Sequence, residues 1–226
     1  MNSKNNSKKK KENNFWYYFI KITGAIPTLI WARQKIYRVS DGKVVKNKKI
    51  DGRVLIYSNH CSYTDPWLLN CIFWYRHIYF LAATELFSNW FGRWFFTNVK
   101  CIPVDRTNFS MATFHSVIDR LRSDKAVLIF PEGQINRDEG APLGFKTGAV
   151  LMATSANAPL LPVYIVKRKW YNRHIVLIGD PIDLKEKFNS PLSKDALYEA
   201  SEYLRAKETE LQEFYNSNIA SKSRGD

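Results

Sequence analysis

Short apolar runs recur along the chain at Val54–Tyr57, Ile78–Leu81, Val99–Ile102, Ala126–Phe130, Leu160–Val166 and Ile175–Ile178, most of them separated by stretches of helical spacing. Continuous apolar runs of this length predict buried strands, and their alternation with helices predicts an α/β fold. Ahead of them, Lys35–Ser40 and Lys43–Val45 flank Asp41-Gly42, the turn signal of a β-hairpin. Met111, Phe114, Ile118 and Leu121 recur at helical spacing, as do Leu197, Ala200, Leu204, Leu211 and Phe214, which predicts two amphipathic helices laid on the sheet.

Two segments stand outside this alternation. Residues 1–14 are rich in Asn, Lys and Ser and too polar to pack, so they read as a disordered basic tail. Residues 15–34 hold Phe15-Trp16-Tyr17-Tyr18-Phe19-Ile20 and then Ile22, Ile26, Leu29, Ile30 and Trp31, interrupted by Lys21, Gly24 and Pro27. Spanning a bilayer takes roughly 20 mainly apolar residues. An aromatic segment flanked by lysines suits the headgroup interface instead, where half-wet Trp and Tyr rings are favoured. The expected organisation is therefore tail, interface helix, an αβ domain over 35–218, and a short tail over 219–226.

Composition narrows the partners. A chain of 226 residues with 45% hydrophobic content can bury one sizeable core. Three cysteines, Cys61, Cys71 and Cys101, are odd in number and irregularly spaced, without a cleavable leader pattern, which argues against a disulfide framework and for a reducing cytoplasm. The formal charge is +13; the first twelve residues hold five lysines against Glu12, so the remainder still carries +9. Such a balance points to an anionic partner: nucleic acid, an acidic membrane surface or a phosphorylated substrate. No RNA-recognition, zinc-finger or helix-turn-helix signature accompanies the charge, so no nucleic acid is expected.

The chemistry-bearing residues follow the apolar runs. His60 and Asp65 lie five apart in Asn59-His60-Cys61-Ser62-Tyr63-Thr64-Asp65-Pro66, directly after the first run. Histidine can take and return a proton near neutral pH, and a carboxylate on its second nitrogen fixes the useful tautomer. The same residues also admit a plainer reading, with Asp65 as a helix N-cap before Pro66 and His60 as a loop histidine. Arg106 follows the third run in Val104-Asp105-Arg106, a guanidinium suited to bidentate phosphate contact. Glu132, Gly133 and Arg137 follow the fourth run in Phe130-Pro131-Glu132-Gly133-Gln134-Ile135-Asn136-Arg137, at a strand end of the kind that hosts sites in open α/β sheets. His60, His77, His115 and His174 are scattered without ligand spacing, so no metal is expected. Cys61 adjoins the proposed base, but consecutive residues point apart, which disfavours a thiol nucleophile.

Taken in order, His-x4-Asp, Val-Asp-Arg, Phe-Pro-Glu-Gly and Pro-Val-x-Ile resemble the 1-acylglycerol-3-phosphate O-acyltransferase family, the lysophospholipid acyltransferases, over about Val54–Gly179. Glu85-Leu86-Phe87 and Phe145-Lys146-Thr147-Gly148-Ala149 stand where that family carries similar elements. The resemblance implies a single αβ domain of the glycerolipid acyltransferase type, a mixed sheet flanked by helices. It implies His60 as general base with Asp65 as its orienting partner, and Arg106, Glu132, Gly133, Arg137 and Lys146 as substrate-binding residues. It further implies no cofactor, a thioester donor carried by coenzyme A or acyl carrier protein, a lysophospholipid acceptor, membrane lipids as partners, and the cytoplasmic membrane face as location. The third motif departs from the family pattern: Ile135 stands where arginine is usual, and Arg137, two residues on, is the candidate to replace it. That departure bears on the acceptor, leaving a different lysolipid, a transacylation, or a non-catalytic membrane adaptor as the other readings.

Overall fold

The computed structural model describes residues 14–105, 110–136, 143–166, 173–188 and 193–220. The basic run at the start and the last six residues lie outside them, as do Arg106 and Arg137. The element order is α1 (Phe15–Ala32), β1 (Lys35–Ser40), β2 (Lys43–Val45), β3 (Val54–Ser58), α2 (Asp65–Ile72), β4 (Ile78–Ala83), α3 (Trp90–Asn98), β5 (Cys101–Val104), α4 (Met111–Arg122), β6 (Ala126–Ile129), α5 (Gly148–Ala156), β7 (Leu160–Ile165), β8 (Ile175–Ile178) and α6 (Lys194–Asn218). The strands form one mixed sheet in the order β2-β1-β8-β7-β3-β6-β4-β5. The β1–β2 and β7–β8 pairs are antiparallel and the other five are parallel.

The hairpin turns as its sequence dictates: Ser40 pairs with Lys43, and Asp41 and Gly42 both have positive φ, 48° and 67°. Two left-handed central residues match the right-handed twist of the strands they join. β3, β6, β7 and β8 have almost every residue buried, as expected of strands covered on both faces. α1, α2 and α3 pack on one face, where Leu68, Leu69, Ile72 and Phe95 meet Val54, Ile56 and Phe80. α4, α5 and α6 pack on the other, where Val117, Leu121, Val150, Ala153 and Leu204 meet Leu55, Tyr57 and Val127. Ile219, one residue past α6, is buried with Leu211 and Tyr215.

Three local expectations need correction. The third apolar run does not start a strand at Val99. That residue ends α3 as a buried plug, Lys100 reverses the chain at φ 68°, and β5 begins at Cys101. The face of α4 is rotated: Met111 is exposed, while Thr113 and Val117 join Ile118 and Leu121 inside. Asp65 does not cap α2. The residue before the helix is Thr64, and the Asp65 carboxylate turns back toward the preceding loop.

Candidate active site

β3 and β6 are adjacent and parallel, with Tyr57 level with Ile129. The third residue beyond each is His60 and Glu132, so the register alone brings two distant motifs to one height at the carboxyl end of the sheet. Ligand sites in open α/β sheets form at this edge.

The loop holding His60 is tied down from several directions. Asn59 makes two bonds with the end of β7, its Nδ2 donating to the Ile165 carbonyl at 2.9 Å and its Oδ1 accepting from the Ile165 N–H at 2.7 Å. The His60 N–H donates to Glu132 Oε1 at 3.3 Å, and its carbonyl accepts from the Asn136 N–H at 2.8 Å. The His60 ring stacks on Phe130, with centroids 4.1 Å apart and planes at 18°. The β6–α5 loop therefore grips the main chain and the ring face of the histidine together.

On its other side, His60 Nδ1 lies 3.0 Å from Asp65 Oδ2. The same oxygen accepts from the Cys61 and Ser62 N–H groups at 2.6 and 2.7 Å. An ionised carboxylate only accepts, so Nδ1 carries the proton and Nε2 is the basic nitrogen. Both residues are buried, His60 7% and Asp65 2% exposed. Hydrogen bonds to a charged group contribute about 1.5–3 kcal/mol each, and here they fix the rotamer of the carboxylate that orients the ring.

Glu132 is buried, and its Oε2 has no hydrogen-bond partner among the described residues. Burial raises its pKa above the ordinary 4.5, while the His60 N–H bond works in the other direction. This geometry makes Glu132 a support beneath His60. Gly133 turns with φ 72°, and a Cβ there would come within 2.8 Å of Lys146 Nζ, so the exposed Lys146 side chain lies across the glycine. His60, Asp65, Glu132, Gly133 and Lys146 thus come together. Cys61 Sγ is 3.1 Å from Asn59 Nδ2 and 3.7 Å from the Ile165 carbonyl oxygen.

Sequence reading missed Glu208 on α6. It is buried beneath this region with Oε2 unpartnered among the described residues, and burial followed by the nearby Glu132 charge raises its pKa. The signal was present: Glu208 follows Leu204 by four and precedes Leu211 by three, so the apolar stripe itself turns this carboxyl inward.

Fold and site together define an α/β protein with a buried histidine–carboxylate pair at the carboxyl end of a parallel strand. The model of the acyltransferase family matches residues 36–166, and the chain belongs to this family. Among curated relatives, the 1-acyl-sn-glycerol-3-phosphate acyltransferase of Streptococcus pneumoniae is 26% identical over 175 residues, covering 73% of this chain and 62% of the relative. The Haemophilus influenzae protein of the same name is 28% identical over 153 residues, 63% of each chain. A probable 1-acyl-sn-glycerol-3-phosphate acyltransferase of Mycoplasma pneumoniae is 31% identical over 121 residues, 50% of this chain and 44% of that one. The matches thus span roughly two fifths to three fifths of these relatives' lengths. The crystal structure of the 1-acyl-sn-glycerophosphate (LPA) acyltransferase PlsC from Thermotoga maritima shares the fold, with a TM-score of 0.61 at 20% identity, over 87% of this chain and 78% of that one.

Proposed function

We propose that the protein is a membrane-surface acyltransferase. It moves a fatty acyl group from a thioester donor, acyl-coenzyme A or acyl carrier protein, to the hydroxyl of a lysophospholipid, 1-acylglycerol 3-phosphate foremost. The observation that carries this reading is the His60 Nδ1–Asp65 Oδ2 contact of 3.0 Å on a carboxylate already locked by two loop amides. His60 Nε2 takes the hydroxyl proton as the oxygen attacks the thioester carbon. The C–O bond forms, the C–S bond breaks, and the imidazolium returns its proton to the departing thiolate. Asp65 stabilises the imidazolium between these steps, and no covalent acyl-enzyme is required.

Lys146 offers a cation beside the Glu132-Gly133 turn for a phosphate of donor or acceptor. The names of the relatives support the acceptor class. Ile135, in the usual arginine position, favours a second reading in which another lysolipid is the preferred acceptor. No described helix is long and apolar enough to cross a membrane. α1 instead exposes Phe15, Phe19, Ile22, Ile26 and Ile30 along one side, which supports seating on the lipid surface, the cytoplasmic one given the basic charge.

The test is purified protein in mixed micelles, offered labelled acyl donors with a panel of lysolipids. Product identity names the acceptor, and His60→Ala should lower turnover by about 10²–10⁴-fold. Failure of the parent to acylate any lysolipid with either donor overturns the proposal.

A further inference from the structure

Asn59, the residue before the base, is buried, and its side chain uses every hydrogen-bonding position it has. Nδ2 donates to the Ile165 carbonyl at 2.9 Å and to Cys61 Sγ at 3.1 Å. Oδ1 accepts from the Ile165 N–H at 2.7 Å and from Ser58 Oγ at 3.3 Å. An amide has two N–H donors and two acceptor sites, so none is left over. The pattern also fixes which way the amide faces, because a flipped one would set its NH2 against the Ile165 N–H.

In a regular sheet that place belongs to the main chain. β3 and β7 run parallel, with Leu55 level with Leu160 and Ser58 level with Val163. Carried two residues on, the same register sets His60 level with Ile165. The Leu55 N–H donates to the Pro159 carbonyl, so every second residue of β7 from there, Ile165 included, turns its N–H and carbonyl toward β3. Continued in that pattern, the Ile165 carbonyl would accept from the Cys61 N–H, and the Ile165 N–H would donate to the Asn59 main-chain carbonyl. The Asn59 side chain takes both positions instead, and the Cys61 N–H donates to Asp65 Oδ2 at 2.6 Å.

We propose that Asn59 is a positioning residue whose amide replaces the last rung of the β3–β7 ladder and so releases the Cys61 N–H to hold the Asp65 carboxylate against His60. The inference rests on the acyltransferase reading of that pair. Buried main-chain polar groups require partners. Without the Asn59 amide, the Ile165 carbonyl would reclaim the Cys61 N–H, and Asp65 would keep only the Ser62 N–H of its two loop donors. The exit of the chain from the sheet and the locking of the acid are thus a single event, set by one side chain.

The experiment measures the hydrogen bonds and the turnover separately. In the parent, NMR couplings across hydrogen bonds should connect the Ile165 amide nitrogen to the Asn59 side-chain carbonyl carbon, and the Cys61 amide nitrogen to the Asp65 carboxyl carbon. A coupling from the Cys61 amide to the Ile165 main-chain carbonyl overturns the proposal. In the micelle assay, Asn59→Ala should lower kcat about 10- to 100-fold with KM within about threefold of the parent. In an Asp65→Ala background the same substitution should lower kcat by less than about threefold, because it acts through that carboxylate. Equal fold losses in the two backgrounds, no loss in either, or a rise in KM with kcat kept also overturns it. If Asn59→Ala does not fold, the couplings in the parent decide. A parent inactive on every lysolipid overturns the acyltransferase reading, and the couplings then judge the substituted rung alone.

Discussion

At the first residue of α2, the Asp65 carboxylate receives two N–H bonds from the preceding loop and the ring of His60, whereas on α6 the buried Glu208 leaves its Oε2 without a partner among the described residues. Both carboxyls are nearly inaccessible, at 2% and 6% exposure, so burial does not separate them. What separates them is the source of donors. A loop leaving a strand has free N–H groups to turn on an acid, while the N–H groups of a helix interior are already used by its own carbonyls. The contrast teaches where this molecule concentrates its polar order: in the strand-end loop, at the expense of the helix beneath.

The largest test of that contrast is Asp65→Asn. One oxygen meets Cys61, Ser62 and Nδ1 together, so an amide oxygen in that place keeps the three bonds but carries no charge to stabilise the imidazolium. In the micelle assay kcat should fall by about 10²–10⁴-fold with the fold retained by circular dichroism. Activity near that of the parent would mean that the two carboxyls are more alike than their bonding implies.

Glu132 falls between the two, with one oxygen on the His60 N–H and the other unpartnered among the described residues. Glu132→Ala should lower kcat about tenfold with little change in KM, by releasing the main chain of the base, whereas Glu132→Gln should retain most activity because its amide oxygen can accept the same bond. A rise in KM in both variants would instead place Glu132 on the substrate.

The smallest effect is expected at Glu208, and it concerns stability. Its pKa in the fold is raised above the ordinary 4.5, so the folded protein holds this proton more tightly than the unfolded chain does. The penalty is absent below pH 4.5 and grows as the pH rises above it. Glu208→Gln should therefore raise Tm at pH 7, with about 1–3 kcal/mol recovered at about 2–4 °C per kcal/mol. The gain should vanish near pH 4, and activity should stay close to that of the parent. A loss of Tm at pH 7 would mean that Glu208 is satisfied in solution.

These differences also mark what was legible in the sequence. The strands were readable because strands buried on both faces leave continuous apolar runs, and the hairpin because Asp41-Gly42 admits positive φ at both turn positions. His60 with Asp65 was readable as a pair, but not the manner in which Asp65 is held, since an acid before Pro66 fits a helix cap equally well on paper. Val99 misled because an apolar residue ending a helix looks the same as one starting a strand. Lys21 was readable only as an interruption of an apolar segment. Apart from Tyr17, its partners lie about 50 residues away, at Asn70, Phe73 and Arg76, and contacts of that range leave no local pattern.

The pairing of β1 with β8 sets a schedule for synthesis. Lys35 finds its sheet neighbour only at Ile175, so β1 is translated about 140 residues before the strand that completes it. At about 5–20 residues per second that is a wait on the order of ten seconds. The inner side of α1 waits less long, since Trp67, Asn70, Phe73 and Arg76, which meet it, follow 39 to 55 residues later. The outer stripe of α1, Phe15 to Ile30, stays exposed even in the finished fold, which makes it a client for chaperones during synthesis or, on the proposed reading, for the lipid surface.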